Sequence, residues 1–183
     1  MKSYLAVNAK TGREAWRVKW VTQYGANAAD PVVEGDRVFI SSGYQKGCAL
    51  LRLGKSEPEI VYQSRVIRTQ MSTAVLAGGH LYAVDGDTTE KTTLKCVEFA
   101  SGTEKWSRPL AGVGTVAVAD NRLLVLSGAG ELMIAPVSSE SFAPTARANV
   151  LTGKCWTVPV LANGRIYCRN AEGTVVCVDV RKK

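Results

Sequence analysis

No stretch of this 183-residue sequence approaches the roughly 18 uninterrupted apolar residues that a membrane-spanning helix requires, so a helical span is excluded. Histidine occurs once, at His80, and the five cysteines contain no C-x-x-C pair, which leaves a zinc site little to work with. A Ser-His-Asp triad would have to recruit His80, which falls in the Gly78 to Tyr82 hairpin as a surface turn residue. The short Gly128 to Gly130 piece lies between two strand patterns and cannot present a helix N-terminus to a phosphate. Apolar periodicity is two almost everywhere, so amphipathic helices are missing as well. The one ambiguous stretch is Ser138 to Leu151, where Ser138 to Phe142 could form a helical turn before a loose strand interrupted by Pro144.

Residues Met1 to Asn8 enter a strand pattern at once and offer neither an apolar signal core nor a small-residue cleavage site. The chain is therefore expected either to be intracellular or to continue upstream of Met1, with localisation otherwise unassigned. The net charge of +7 and pI near 9.3 could mean an acidic partner or a basic surface. The basic residues are spread along the chain. In the densest stretch, Arg13 to Trp20, residues Trp16, Val18 and Trp20 fall on one face of a strand with Arg17 and Lys19 on the other. That is a half-buried strand, and nucleic acid is not an expected partner. Four of the five cysteines lie in strand-like runs and read as small packing residues. Cys168 and Cys177 flank a tight hairpin and could lie diagonally on one face, within reach of a disulfide.

What the sequence does contain is a repeat. An apolar strand, a turn on Gly, Asp or Asn, and a second apolar strand recur at Asp30 to Ser41, Ser72 to Asp85, Gly114 to Ser127 and Thr157 to Arg169. The turn positions Gly35, Gly78, Asp120 and Asn163 advance in steps of 43, 42 and 43 residues, the size of a four-stranded propeller blade of roughly 40–45 residues. A third alternating strand follows each hairpin, at Ala49 to Leu53, Lys95 to Ala100, Leu132 to Pro136 and Val175 to Val180. A fourth is clearest where a turn on Gly12 leads to Trp16 and one on Gly102 leads to Trp106, with Tyr62 at the intermediate position. Gly12 and Gly102 supply the positive φ of a tight connection, and each tryptophan offers a flat ring to a neighbouring blade.

The expected fold is all-β: a propeller segment of about four four-stranded antiparallel blades. It divides into a partial blade over 1–20, blades over 21–63, 64–107 and 108–151, and a partial terminal blade over 152–183. Two incomplete ends and no export signal suggest a missing N-terminal half, with self-association of two such chains as an alternative.

The segments Ala6 to Trp16 and Val97 to Trp106 resemble the A-x-D-x-x-T-G-x-x-x-W turn of pyrroloquinoline-quinone (PQQ)-like repeats, and the resemblance covers essentially the whole chain. Asn27 to Leu53 and Cys155 to Val180 resemble the final blades of bacterial PQQ-like propeller proteins about twice this length. Those are commonly exported and often compared with the outer-membrane barrel-assembly lipoprotein BamB. The resemblance implies a propeller of seven or eight blades, a periplasmic or cell-envelope location, and a non-catalytic scaffold that binds a protein or another envelope component. Its alternative is a fragment of a PQQ-dependent alcohol dehydrogenase. In that case PQQ and calcium would be bound by the full-length protein, with an adjacent-cysteine pair as a hallmark. No two cysteines are adjacent here, no catalytic residue stands out, and Asp85-Gly86-Asp87 reads as a strand-connecting turn lacking further spaced oxygen ligands. No cofactor is expected of the chain itself.

In a propeller the loops joining one blade's outer strand to the next blade's inner strand gather on one face around the axis. Asn27, Asp30, Arg68, Gln70 and Trp156, at the inner ends of those loops, are the candidate rim residues for binding; the competing reading is that they cap strands and solvate turns.

Overall fold

The computed structural model describes residues 2–54 and 57–181. Met1, Lys55, Ser56, Lys182 and Lys183, which the segments above include, lie outside the described residues. Among the described residues the chain forms 17 strands in five antiparallel sheets, each paired strictly in chain order. The first sheet holds β1 (Ser3–Val7) and β2 (Glu14–Lys19). The second holds β3 (Val32–Glu34), β4 (Arg37–Ser42), β5 (Gly47–Arg52) and β6 (Glu59–Ser64). The third holds β7 (Val75–Ala77), β8 (His80–Asp85), β9 (Thr92–Glu98) and β10 (Glu104–Leu110). The fourth holds β11 (Thr115–Ala119), β12 (Arg122–Leu126), β13 (Glu131–Pro136) and β14 (Ala146–Asn149). The fifth holds β15 (Val160–Ala162), β16 (Arg165–Arg169) and β17 (Val175–Asp179).

The hairpin turns follow from local chemistry. Both central residues have positive φ at Gly78-Gly79, Asp120-Asn121 and Asn163-Gly164, the conformation whose twist matches the flanking strands. The second strands of the three middle sheets are near-continuous apolar runs because both of their faces are covered. Along β8, Leu81 and Ala83 pack on Phe39 and Leu50 of the second sheet. The alternate residues Tyr82 and Val84 pack on Val116, Leu123 and Val125 of the fourth. Four core clusters result, one in each interval between successive sheets, which is the stacking of propeller blades.

The end sheets keep an alternating pattern, since only one face of each is covered. Tyr4, Trp16, Val18 and Trp20 pack inward on the second sheet, while Leu5 and Val7 face outward. On β17, Val176 and Val178 pack inward and Val175 is exposed.

Two sequence expectations are corrected. Ser138 to Phe142 forms no helical turn: the chain bends there, and Phe142 lies against the Trp106 ring with centroids 5.8 Å apart. Cys168 and Cys177 do not share a face. Cys168 pairs with Val176, so its diagonal neighbour Cys177 projects from the opposite side; Cys168 is buried, Cys177 is exposed, and all five cysteines are free.

Candidate binding site on the axial face

In a meander of four strands, the turn between the second and third strands lies at the same end as the loop to the next sheet. Backbone hydrogen bonds tie these two elements together at the three junctions that follow the second sheet. Gly86 N donates to Arg68 O (3.0 Å), Ala129 N to Ala111 O (3.1 Å) and Ala171 N to Lys154 O (2.8 Å). Arg68, Ala111 and Lys154 are 43 residues apart, so they are one repeat position carrying three different side chains. The residue that ends the second strand or directly follows it is polar and buried in every copy: Ser42, Asp85, Ser127 and Asn170, spaced by 43, 42 and 43 residues. Each serves the connections at this end of its sheet. Ser42 Oγ donates to Asn27 Oδ1 (3.1 Å), Asp85 accepts from Arg68 N (2.7 Å), Ser127 Oγ accepts from Glu131 N (3.0 Å), and Asn170 Nδ2 donates to Thr152 O (3.1 Å).

The candidate rim residues occupy this face but do not converge on one point. Asn27, Gln70 and Trp156 belong to one repeat position, whose remaining member is Val113. Asn27 is half-buried between Ser42 and Trp20 O (3.4 Å). Asp30 is exposed, and its amide donates to Thr73 Oγ1 (2.9 Å) in the next loop. Arg68 and Gln70 share a network. The Arg68 guanidinium reaches Asp85 Oδ2 (2.8 Å), Glu90 Oε2 (2.9 Å) and Gln45 Oε1 (3.0 Å), while Gln70 Nε2 donates to Tyr44 OH (2.8 Å) and its Oε1 accepts from Thr88 N (3.2 Å). Lys95 closes the network from the outer side, with Nζ 3.4 Å from Asp85 and 3.0 Å from Glu104. Its hydrogen bonds to Asp85 hold the Arg68 guanidinium well above the ordinary arginine range.

Asp87, buried beside this network, is held below the ordinary carboxylate value of 3.8. Burial pushes it up, but hydrogen bonds from the Thr89 hydroxyl and amide and from Tyr44 N, with the nearby Arg68 charge, more than offset that. A depressed folded value stabilises the fold above the unfolded pKa and is lost as pH falls through the folded one. Melting of the natural chain should therefore fall more steeply from about pH 5 to about pH 3 than that of Asp87→Asn, which should melt lower at neutral pH. Parallel curves would place the Asp87 contacts outside the stabilising set.

No sequence signal singles out the tyrosine pair of this face. Tyr24 is 79% exposed and stacks edge-on against Tyr44, centroids 5.3 Å apart. Tyr24, Tyr44 and Gln45 have φ of 62°, 53° and 60°, a left-handed region that costs energy for bulky residues and that clusters at binding sites. No repeat pattern announces this pair, because Tyr24 sits in a loop and Tyr44 in a turn.

Farther along the face, Asp87, Thr88, Glu90, Gly112, Val113, Gly128, Lys154 and Trp156 line a cavity of about 460 Å³. The Lys154 ammonium lies 5.3 Å from the centre of the Trp156 ring.

The repeat-signature residues lie away from this face. Trp16, Tyr62 and Trp106 follow the same β-bulge in three outer strands, paired with Ala6, Leu50 and Cys96. Gly12 needs its positive φ of 69° for conformation alone. At Gly102 (φ 74°) a Cβ would also come within 2.9 Å of the Tyr62 ring, so that turn is packed under the preceding sheet's outer strand.

The residues present do not fit a calcium ion. The Asp85 carboxylate is taken by Arg68 and Lys95, that of Asp87 by Thr89 and Tyr44, and no group of three metal-ligating side chains comes together among the described residues.

Comparison with solved structures finds the same fold in BamB from Moraxella catarrhalis, at TM-score 0.72 and 16% identity over 97% of this chain and 52% of that one. The computationally designed Ika8 protein is similar at TM-score 0.68 and 12% identity, over 95% and 51%. A europium-containing methanol dehydrogenase is similar at TM-score 0.50 and 16% identity, over 66% and 24%. This chain thus spans about half the length of the first two. Among curated proteins no significant sequence match is found. The sequence profile described as outer membrane protein assembly factor BamB matches residues 2–183, and with four PQQ-like repeats stacked as propeller blades the chain belongs to that family.

Proposed function

We propose that the chain is part of a non-catalytic binding scaffold of the bacterial cell envelope, holding a protein or another envelope component against its axial face. One observation carries this reading. The repeated polar groups of that face are engaged in pinning loops, whereas Tyr24 is left 79% exposed on a strained backbone. Rigid, exposed tyrosines are the residue type on which protein interfaces concentrate binding energy. The description of the family as an assembly factor supports the same reading. The likeness to a methanol dehydrogenase favours the fold alone, and the engaged carboxylates of Asp85 and Asp87 speak against a quinone and calcium site built from these residues.

A photo-crosslinking residue at position 24, tested in bacterial envelope extract, should capture a discrete partner, and one at Glu34, at the opposite end of the second sheet, should not. Equal capture at both positions, or stoichiometric quinone uptake by the protein, would overturn the proposal.

A further inference from the structure

The junction between the third and fourth sheets differs from its neighbours in where its backbone donors go. At the following and preceding junctions the residue after the buried polar position, Ala171 or Gly86, donates its amide to the carbonyl of Lys154 or Arg68. Here that bond slips by one residue: Ala129 N takes the Ala111 carbonyl, and Gly128 N is left with no acceptor among the described residues. Thr69, Gly112 and Cys155 are likewise one repeat position, 43 residues apart. Thr69 N donates to Ser41 Oγ (3.0 Å) and Cys155 N to Gly128 O (3.1 Å), whereas Gly112 N meets no acceptor among the described residues. Val113 N meets none there either, although Val113 is buried. The carbonyl of the same trans peptide, Gly112 O, accepts from Thr92 Oγ1 (2.8 Å), which turns the Val113 N–H the opposite way. A buried amide without a partner is rare in a native fold.

Gly112, Val113 and Gly128 all line the cavity of about 460 Å³, a volume within the range of small-molecule sites. Lys154 is the one cation of that lining. Arg68, at the same repeat position, meets Asp85, but the strand-end counterpart of Lys154 is the neutral Asn170. Among the described residues Lys154 makes no ion pair, and its ammonium rests on the Trp156 ring instead. The carboxylates of the lining are already engaged: Asp87 accepts from Thr89 and Tyr44 N, and Glu90 from Arg68 and Gln45. The polar groups left open are therefore donors, three amides and an ammonium, beside the apolar surface of Val113 and Trp156.

We propose that this cavity binds a small organic monocarboxylate. Its head is received by Lys154 and by the amides of Gly112, Val113 and Gly128, backbone donors of the kind that form anion-binding nests. Its apolar body lies against Val113 and Trp156. A dianion such as phosphate is disfavoured, because Asp87 and Glu90 stand in the same lining and oppose a second negative charge. The proposal is independent of the partner-binding reading, since Tyr24 does not line the cavity.

The test is titration of the isotope-labelled 183-residue chain with 3-phenylpropionate, with its neutral amide, and with inorganic phosphate, followed by amide and indole NMR shifts. The carboxylate should bind at one site, moving the amide protons of Gly112, Val113 and Gly128 downfield together with the Trp156 indole signal. The neutral amide and phosphate should each bind at least about tenfold more weakly. Lys154→Met, at an exposed side chain, should weaken the carboxylate by at least about tenfold and leave the neutral amide unchanged. No movement of the three amides at millimolar carboxylate, equal binding of carboxylate and neutral amide, phosphate binding as tightly as the carboxylate, or undiminished carboxylate binding by Lys154→Met would each overturn the proposal.

Discussion

Replacing Trp106 by alanine should lower the stability of the chain by about 3–5 kcal/mol, read from denaturant unfolding. Its ring is 5% exposed, lies 5.9 Å from Tyr82 and 5.8 Å from Phe142 between centroids, and donates from Nε1 to Ser138 O at 2.9 Å. The truncation opens a void between the third and fourth sheets and leaves that carbonyl without its donor. Trp16 occupies the same place in the same motif, but only one face of its sheet is covered and it is half-buried. Trp16→Ala should therefore cost clearly less. Equal losses would mean that the motif acts through its turn and not through the buried ring.

Arg68→Ala should be the most damaging change among the axial polar residues, at about 3–5 kcal/mol, with Lys95 keeping the loss toward the lower end. Asp85 is 2% exposed, and the substitution removes its guanidinium partner while also freeing Glu90 and Gln45. The chain supplies its own control. At the equivalent positions of the next junction it uses Ala111 and Ser127, a pair with no charge on either side. The double variant Arg68→Ala with Asp85→Ser should thus unfold at higher denaturant than Arg68→Ala alone, because no buried carboxylate is left poorly matched. A double variant weaker than the single would show that Asp85 stabilises the fold through Lys95 and not through Arg68.

Much of the fold was legible because its signals are local. A turn residue every 42 or 43 positions, apolar runs bounded by those turns, and a tryptophan after a glycine turn each depend on a few neighbouring residues. The buried polar position of Ser42, Asp85, Ser127 and Asn170 was available to the same periodic reading. It passed unnoticed because four different roles are filled by three residue types. Asp85 was read only as part of a turn, and its burial depends on Arg68 and Lys95 folding over it from two directions.

The candidate site was less legible. Arg68, Gln70 and Trp156 stand out by their place at loop ends, yet Arg68 and Gln70 belong to one hydrogen-bonded network while Trp156 lies across a cavity that this network borders through Thr88 and Glu90. The Tyr24 and Tyr44 pair joins residues from a loop and a turn that carry no shared spacing. Glu90 and Lys154 are 64 positions apart, and only the stacking of the third, fourth and fifth sheets brings them to one cavity. By itself the sequence determined the strands, the turns and the repeat, because side-chain alternation and positive φ are properties of short segments. The tertiary structure alone decided which charges are neutralised and which are left open, because that depends on what the next sheet places opposite each loop.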